Sequence, residues 1–416
     1  MTMTAEKIEQ EVNAWLDEHW DPSLSLEAWR TLLVDGGWAT PAWPGEYFGR
    51  DFTIEQAAVV ARVFREREIV PVAQTGPRRL AAETILAMGN DDQKRRHLRP
   101  ILTGEHSWCQ LFSEPGSGSD LAGLSTKAER KDGKWIINGQ KVWNTSAHHA
   151  DFGILVARTD FDLPKHQGIS YFLIDMHQPG VEVRPLKQMN GHASFNEVFM
   201  TDAVVAEEDL VGGEGNGWAV AKTTLSYERR LGGVTRTFGG VQSERKGRVY
   251  DEYAKELKIA NEPYTWYPQR QGRVDLVLSR ARETGAISDP TVRQEIAKLM
   301  SMYKGAAFAS AAAEAKRKTG SNELVPAGSI GKLAASKIAR QAAHVHTLIS
   351  GADAMRSGPD SAAEGMIAEV LISVPAISIA GGTDEIQRNI ISERVLDMPK
   401  EARSDTGPFR DIKRND

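Results

Sequence analysis

Apolar positions change their spacing twice along this chain, and the two changes divide it into three parts. Up to about residue 105 they recur every three or four residues, the helical period. "SLEAWRTLLVDGGW" (25–38) keeps that period and stops at a Gly pair, a helix C-terminal signal. "TIEQAAVVARVFRERE" (53–68) opens on Thr53, which can cap a helix, and "AAETILAMGNDDQKRRHLRPILTGE" (81–105) reads as two helices broken at Gly89-Asn90. Near Ser107 the texture becomes alternating or β-branched in "WCQLFSE", "STKAERK", "KWIINGQKVW", "FGILVART", "ISYFLID", "VEVRPLK" and "NEVFMTDAVV", with turns such as "KDGK" between them. From Trp218 the helical period returns, with alanine-rich runs at 306–320 and 330–355 that suit close helix-to-helix contact. The expected class is α+β, with a helical domain over 1–106, a β domain over 107–215 and a helical domain over 216–416. Strands and helices do not alternate, so a nucleotide would not sit on a doubly wound parallel sheet.

Composition narrows the function classes. The 416 residues are 41% hydrophobic and 26% charged, ordinary for a globular protein, and the net charge is −5. No segment is dominated by Lys and Arg, so no nucleic-acid surface is expected; "GPRRL" and "DDQKRRHLRP" read as solvated helix faces. The lone Cys109 rules out an internal disulfide and sits among Trp108, Leu111 and Phe112, as a buried inert thiol would. The N-terminus is acidic and amphipathic, unlike a secretory leader, and the most apolar late stretch (365–382) carries Glu369 and Pro375 and is too short for a bilayer. A cytoplasmic protein without a membrane span is expected. His148-His149 and the pair His344/His346 lack a third ligand cluster, so no metal site is read. The polar tail 400–416 reads as loose or wrapped on a neighbour.

The chemically pointed stretch is "FSEPGSGSDLAG" (112–123). A P-loop would need Lys-Ser/Thr after its last glycine, and a dinucleotide turn would need G-x-G-x-x-G. Here Ser119-Asp120 follows Gly118, and Glu114 and Asp120 put two acids beside any phosphate. The loop suits a ligand approached through backbone, and that ligand is not a simple pyrophosphate.

The order "CQLFSEPGSGSDLAG", "KDGKWIINGQKVWNTSA", "YERR" and "AGGTDEIQRNIISERVL" resembles the acyl-CoA dehydrogenases over nearly the whole chain. The resemblance implies an N-terminal helical domain, a central β-barrel-like domain and a C-terminal four-helix bundle, usually in tetramers. It implies FAD as cofactor, with the Gly-rich loop lying over the flavin and the acyl-CoA. By matching positions, Gln110 and Phe112 would lie beside the ring, and Ser113 would hydrogen-bond it. Ser119 would meet the CoA arm, Trp143 would stack near the flavin, and Thr145 would bond its N5 edge. Gly351 resembles a glycine near the FAD of an adjacent subunit. Thr383 and Glu385 fall at FAD-contacting positions, and Arg229 and Gly382 fall beside the substrate.

Alpha-proton abstraction needs a positioned base. Many relatives carry a Glu directly before the Gly-Thr of the last motif, and Gly381 stands there instead. In the isovaleryl- and long-chain branch the base precedes an Arg on a bundle helix, which points to Glu228. Read without the resemblance, Glu228 is a helix acid paired one turn away. Asp384 and Glu385 are the competing acids. The Gly381 N–H would still serve the thioester oxygen. The implied reaction is α,β-dehydrogenation of an acyl-CoA within fatty acid or lipid β-oxidation, with electrons passed to electron-transfer flavoprotein. The Arg and Phe-Gly that usually grip the FAD pyrophosphate after "YAKE" are missing from "YAKELKIANEPYTWYPQRQGRV", leaving Arg270 as a candidate. Two alternatives stay open, a flavin monooxygenase or oxidase and a partner subunit of a mixed tetramer; the assembly is read as a homo-oligomer or a hetero-tetramer.

Overall fold

The computed structural model describes residues 3–72, 76–231, 245–318, 327–402 and 405–412. Its first part is helical: α1 (Ala5–His19), α2 (Leu26–Asp35), α3 (Ile54–Glu66), α4 (Gly76–Met88) and α5 (Asp91–Thr103). Thr53 and Asn90 each close a capping box, with Gln56 and Gln93, so both helix starts satisfy their own leading N–H groups. The apolar stripes of α1, α2 and α3 meet through Ile8, Val12, Leu16, Trp29, Leu33, Val60 and Val63.

Eight strands follow: β1 (Trp108–Leu111), β2 (Lys127–Lys131), β3 (Lys134–Thr145), β4 (Phe152–Arg158), β5 (Ile169–Asp175), β6 (Val181–Leu186), β7 (Phe195–Ala206) and β8 (Leu210–Val211). They form one sheet in the order β6-β7-β3-β2-β4-β5-β8, with β1 parallel to β4. The unbroken apolar runs of β4 and β5 are explained by burial on both faces. Ile154, Val156, Ile169, Tyr171 and Leu173 pack towards the helices, while Leu155, Ala157, Phe172 and Ile174 join Trp135, Ile137 and Val198 inside the β-domain. The short β8 carries too few residues for its alternation to show in the sequence.

The third part holds α6 (Gly217–Leu231), α7 (Arg248–Asn261), α8 (Tyr267–Arg270), α9 (Val277–Glu283), α10 (Pro290–Lys318), α11 (Ala327–Ser350), α12 (Met366–Ser373) and α13 (Asp384–Arg394). Helices α9, α10 and α11 share a core of Val277, Val292, Ile296, Leu299, Ile338 and Val345. Ala339 and Ala343 let α12 approach α11 closely. Two helices of this part pack elsewhere in the chain. Val220 and Ala221 of α6 sit against α4 and β5, and Val249 and Tyr250 of α7 against α2 and α3. No helix among the described residues is long and apolar enough to cross a membrane.

One expectation is corrected. Residues 405–412 of the tail do not hang loose; they lie on this chain's own β-domain, where Phe409 is buried and its N–H donates to the Leu163 carbonyl at 3.0 Å. The apolar ring, set in a polar sequence, decides that outcome.

Candidate active site

The Gly-rich loop leaves the end of β1 and is held by backbone before any ligand is considered. Ser113 accepts from the Val142 N–H at 2.9 Å, which fastens the loop to β3. Glu114 and Ser117 exchange two backbone hydrogen bonds of 2.9 and 3.0 Å, closing a tight turn around Pro115-Gly116. Neither Gly116 nor Gly118 has any atom within 4 Å of where a Cβ would stand, so the loop's outer surface is open.

The loop's acids are both compensated. Lys141, fully buried on β3, donates to Glu114 Oε1 at 2.8 Å and to the Phe112 carbonyl at 3.0 Å. Glu114 also accepts from the Ser125 and Thr126 N–H groups at 2.7 and 2.8 Å. Burial by itself would raise this carboxyl, but the Lys141 charge and these hydrogen bonds hold it at about 2. Asp120 is paired with Lys165 at 2.8 Å. Two acids beside a phosphate, as the bare sequence suggested, are therefore two acids already answered by lysines.

At the end of β3 the register with β7 shifts between Lys141 and Asn144. Trp143, at φ 64°, occupies the left-handed region that a bulky residue seldom adopts, and its ring is 55% exposed. That excludes a plain core aromatic. The ring stands edge-on to Phe195 at 5.8 Å. Asn144 donates to the Gln110 carbonyl at 2.7 Å, and its buried Oδ1 has no protein partner. These bonds bring Gln110, Phe112, Ser113, Trp143 and Thr145 to one edge of the β-domain.

Helix α6 faces the same region. Thr224 Oγ1 lies 2.9 Å from Thr84 Oγ1 and 3.1 Å from the Tyr171 hydroxyl, and Tyr171 stands edge-on to Phe112 at 5.9 Å. Half-buried Glu228 follows Thr224 by one turn and shares its face. The side chain of Arg229 lies outside the described residues.

The last motif is a two-glycine turn before α13. Gly381 and Gly382 have φ of 68° and 84°. Around Gly381 the space is open, whereas a Cβ on Gly382 would lie 2.6 Å from Gln387 Nε2. Thr383 caps α13 by accepting from the Ile386 N–H at 3.3 Å. Asp384 is buried and locked to α11: it accepts from Ser336 at 2.8 Å, from Arg340 at 2.7 Å and from Lys332 at 3.4 Å. Burial pushes its carboxyl up, but the Ser336 hydrogen bond and the two cations keep it below the usual range. Glu385 is exposed and paired with Arg388 at 3.1 Å. Buried Gln387 donates to the Gly381 and Gly382 carbonyls at 3.1 and 3.3 Å. Sequence reasoning passed over Gln387, Asn144 and Lys141, which hold the backbone of the two motifs; Gln387, one turn past the capping Thr383, carried the only local signal.

The two motifs meet across a cleft of about 480 Å³, with Ser119 and Lys165 on one wall and Asn389 and Arg394 of α13 on the other. Arg270 packs over Tyr267 at 4.8 Å, and exposed Gly351 begins a short helical turn after α11. His346 is hydrogen-bonded to the Arg273 carbonyl at 3.1 Å, and burial lowers its basicity. Cys109 is fully buried, which raises its thiol well above the usual range.

The family models of the acyl-CoA dehydrogenase N-terminal, middle and C-terminal domains match residues 2–105, 109–203 and 270–396. Acyl-CoA dehydrogenase IpdE1 of Mycobacterium tuberculosis is 32% identical over 379 residues, which cover 90% of this chain and 89% of that protein. Acyl-CoA dehydrogenase FadE34 of the same organism is 34% identical over 384 residues, 91% of this chain, and the chain spans only 47% of FadE34. Among solved structures, the glutaryl-coenzyme A dehydrogenase glutaryl-CoA complex superposes with a TM-score of 0.61 at 20% identity, covering 98% of each chain. The Tcur3481-Tcur3483 steroid ACAD gives 0.63 at 21%, covering 95% and 98%; both show the shared fold. With all three domains matched in order and relatives of the same name along nearly its whole length, this chain belongs to the acyl-CoA dehydrogenases, a family of flavoprotein oxidoreductases.

Proposed function

We propose that this chain is an FAD-dependent dehydrogenase that converts an acyl-CoA thioester to the 2-enoyl-CoA and passes the electrons to an electron-transfer flavoprotein. The observation that supports this most is the gathering of Gln110, Phe112, Ser113, Trp143 and Thr145 on one edge of the β-domain. These residues fit a flat heterocycle: an exposed indole held in a strained backbone, an open glycine surface, and a buried acceptor on Asn144 without a protein donor. Ser113 and Thr145 would bond the isoalloxazine edge and Trp143 would stack beside it, with Thr383, Glu385 and Gly351 in further contact with the cofactor. Bound FAD supplies the acceptor for the substrate's β-hydrogen, which leaves as hydride.

Glu228 takes the α-proton. Of the three acids weighed, Asp384 is locked by three partners and Glu385 faces solvent. Half-buried Glu228 lies one turn from Thr224, whose hydroxyl reaches Tyr171 beside Phe112. Gly381 offers its N–H to the thioester oxygen, where negative charge grows as the proton leaves. Gln387 fixes the turn that presents that N–H. Ser119, Gly382 and Arg229 complete the substrate contacts. The open space at Gly381 favours a branched, cyclic or steroid side-chain acyl group, and one fold neighbour is titled a steroid ACAD. The assembly is a homo-oligomer or a hetero-tetramer with a related subunit, in the cytoplasm; the ChsE4-ChsE5 neighbour is titled a complex of two chains.

The test is flavin content, followed by anaerobic bleaching with straight, branched and steroid side-chain acyl-CoAs, for the protein alone and with its genomic neighbours. A yellow protein bleached by one class is expected. A colourless protein that takes up no FAD in either form overturns the reading. Bleaching by no thioester, with oxygen-dependent turnover instead, would favour the monooxygenase.

A further inference from the structure

The tail segment 405–412 and the cleft beside the Gly-rich loop meet at a single buried residue. Arg158, at the end of β4, is wholly buried, and its guanidinium donates to three carbonyls: Ala122 at 2.7 Å, Leu124 at 3.1 Å and Lys165 at 3.1 Å. The first two close the Gly-rich loop, and the third belongs to the β4–β5 connection. The Phe409 ring lies 3.4 Å from that guanidinium and covers it.

The rest of the tail is fastened along the same connection. The Phe409 and Arg410 N–H groups donate to the Leu163 and Phe161 carbonyls, each at 3.0 Å, and Pro408 bridges to Pro164. Arg410 pairs with Asp162, and Asp405 pairs with Lys165. Lys165, 8% exposed, therefore stands between Asp405 of the tail and Asp120 of the Gly-rich loop, and all three line the cleft that holds Ser119.

We propose that residues 405–412 form a strap that sets the affinity of this cleft for the coenzyme A portion of the substrate, by fixing Lys165 and the Gly-rich loop from outside the reacting centre. The inference rests on the dehydrogenase reading of the cleft. The contacts described for the strap run to Arg158, Lys165 and the β4–β5 connection, so it acts on binding and leaves the chemical step alone. A loop that must be ordered by the ligand binds it more weakly than one ordered beforehand. Phe409 and Lys165 are thus positioning residues.

The experiment uses the FAD-loaded full chain and two variants, Phe409→Ala and Lys165→Met. Binding of free coenzyme A is measured by calorimetry, and the reduction rate at saturation is measured with whichever acyl-CoA bleaches the wild type. In Phe409→Ala the Kd for coenzyme A and the KM should rise about tenfold with the saturating rate within about twofold, the signature of lost uniform binding. Lys165→Met should weaken coenzyme A binding similarly, and it decides the matter if Phe409→Ala does not fold. Wild-type affinity in both variants overturns the strap, as does a lowered melting temperature with unchanged Kd, which marks a purely structural tail. A wild type that binds no coenzyme A overturns the dehydrogenase reading itself.

Discussion

A carboxylate held by several donors at once serves the scaffold before it serves as a base. Asp384 is held in this way, with a hydroxyl and two cations on it, and the structure turns this competitor into the anchor of α13. With Glu228 as the proposed base, Glu228→Gln should keep acyl-CoA binding and slow flavin reduction by at least ~10²-fold, as loss of a positioned base does. Stopped-flow reduction checks this, and near-normal reduction in Glu228→Gln with its loss in Glu385→Gln would mean the wrong acid was chosen. Glu114 is the opposite case, an acid at the site whose work is structural. Its carboxyl is depressed to about 2, so the pair stabilises the fold fully above the ordinary Glu range. That contribution is lost as pH falls from about 4.5 towards 2. Glu114→Gln leaves Lys141 buried and unanswered, and urea titration at pH 7 should show a loss of about 3–5 kcal/mol that shrinks on acidification. The sequence displayed Glu114 plainly but hid its partner, because Lys141 lies 27 positions away and pairs only through the β1–β3 contact.

At the scale of elements, most of the pattern was readable. Strands β1 to β7 and the capped helices α3 and α5 announced themselves through alternation, turns and capping residues, all of which are local signals. Helix placement was not readable, since a period of 3.6 marks an apolar face without saying what covers it. Helix α6 illustrates this. Its Thr224 is buried in a hydroxyl cluster with Thr84 of α4 and Tyr171 of β5, a junction of three elements, and its hydroxyl also donates to the Val220 carbonyl at 3.2 Å. Thr224→Val keeps the shape and removes the hydroxyl, leaving two buried partners short of a bond. A loss of about 1–3 kcal/mol is expected in denaturant titration. A change below the measurement error would mean that Thr84 and Tyr171 satisfy each other without it.

The whole molecule is three layers of sequence tied by a few long-range polar contacts. His192 to Glu369 at 3.0 Å and Asn190 to Ser373 at 3.1 Å join the β-domain to α12, and Trp266 donates to Ser194 at 3.1 Å beside them. The most concentrated tie is Glu256 on α7. It receives Arg30 of α2 through both oxygens, at 3.1 and 2.5 Å, and Arg78 of α4 at 2.9 Å. Arg30 is only 2% exposed, so its charge depends on this one carboxylate and on the Pro71 carbonyl, 3.2 Å from Nε. Burial would raise the Glu256 carboxyl, but the two guanidiniums hold it below the usual range, so this tie too weakens as acid is added. Glu256→Gln removes the charge with almost no change in volume. Two arginines are then left in a half-dry interface between the N-terminal helices and α7, and a loss of about 3–5 kcal/mol is expected. Because α7 follows α6, which carries Glu228, and precedes the C-terminal helices along the chain, the loss should also lower flavin retention. Calorimetry with absorbance at the flavin band reads both quantities on one sample. A variant as stable as the wild type would show that water enters the interface and screens the arginines. A variant that loses stability but keeps its flavin would show that α7 staples the N-terminal helices without bearing on the site.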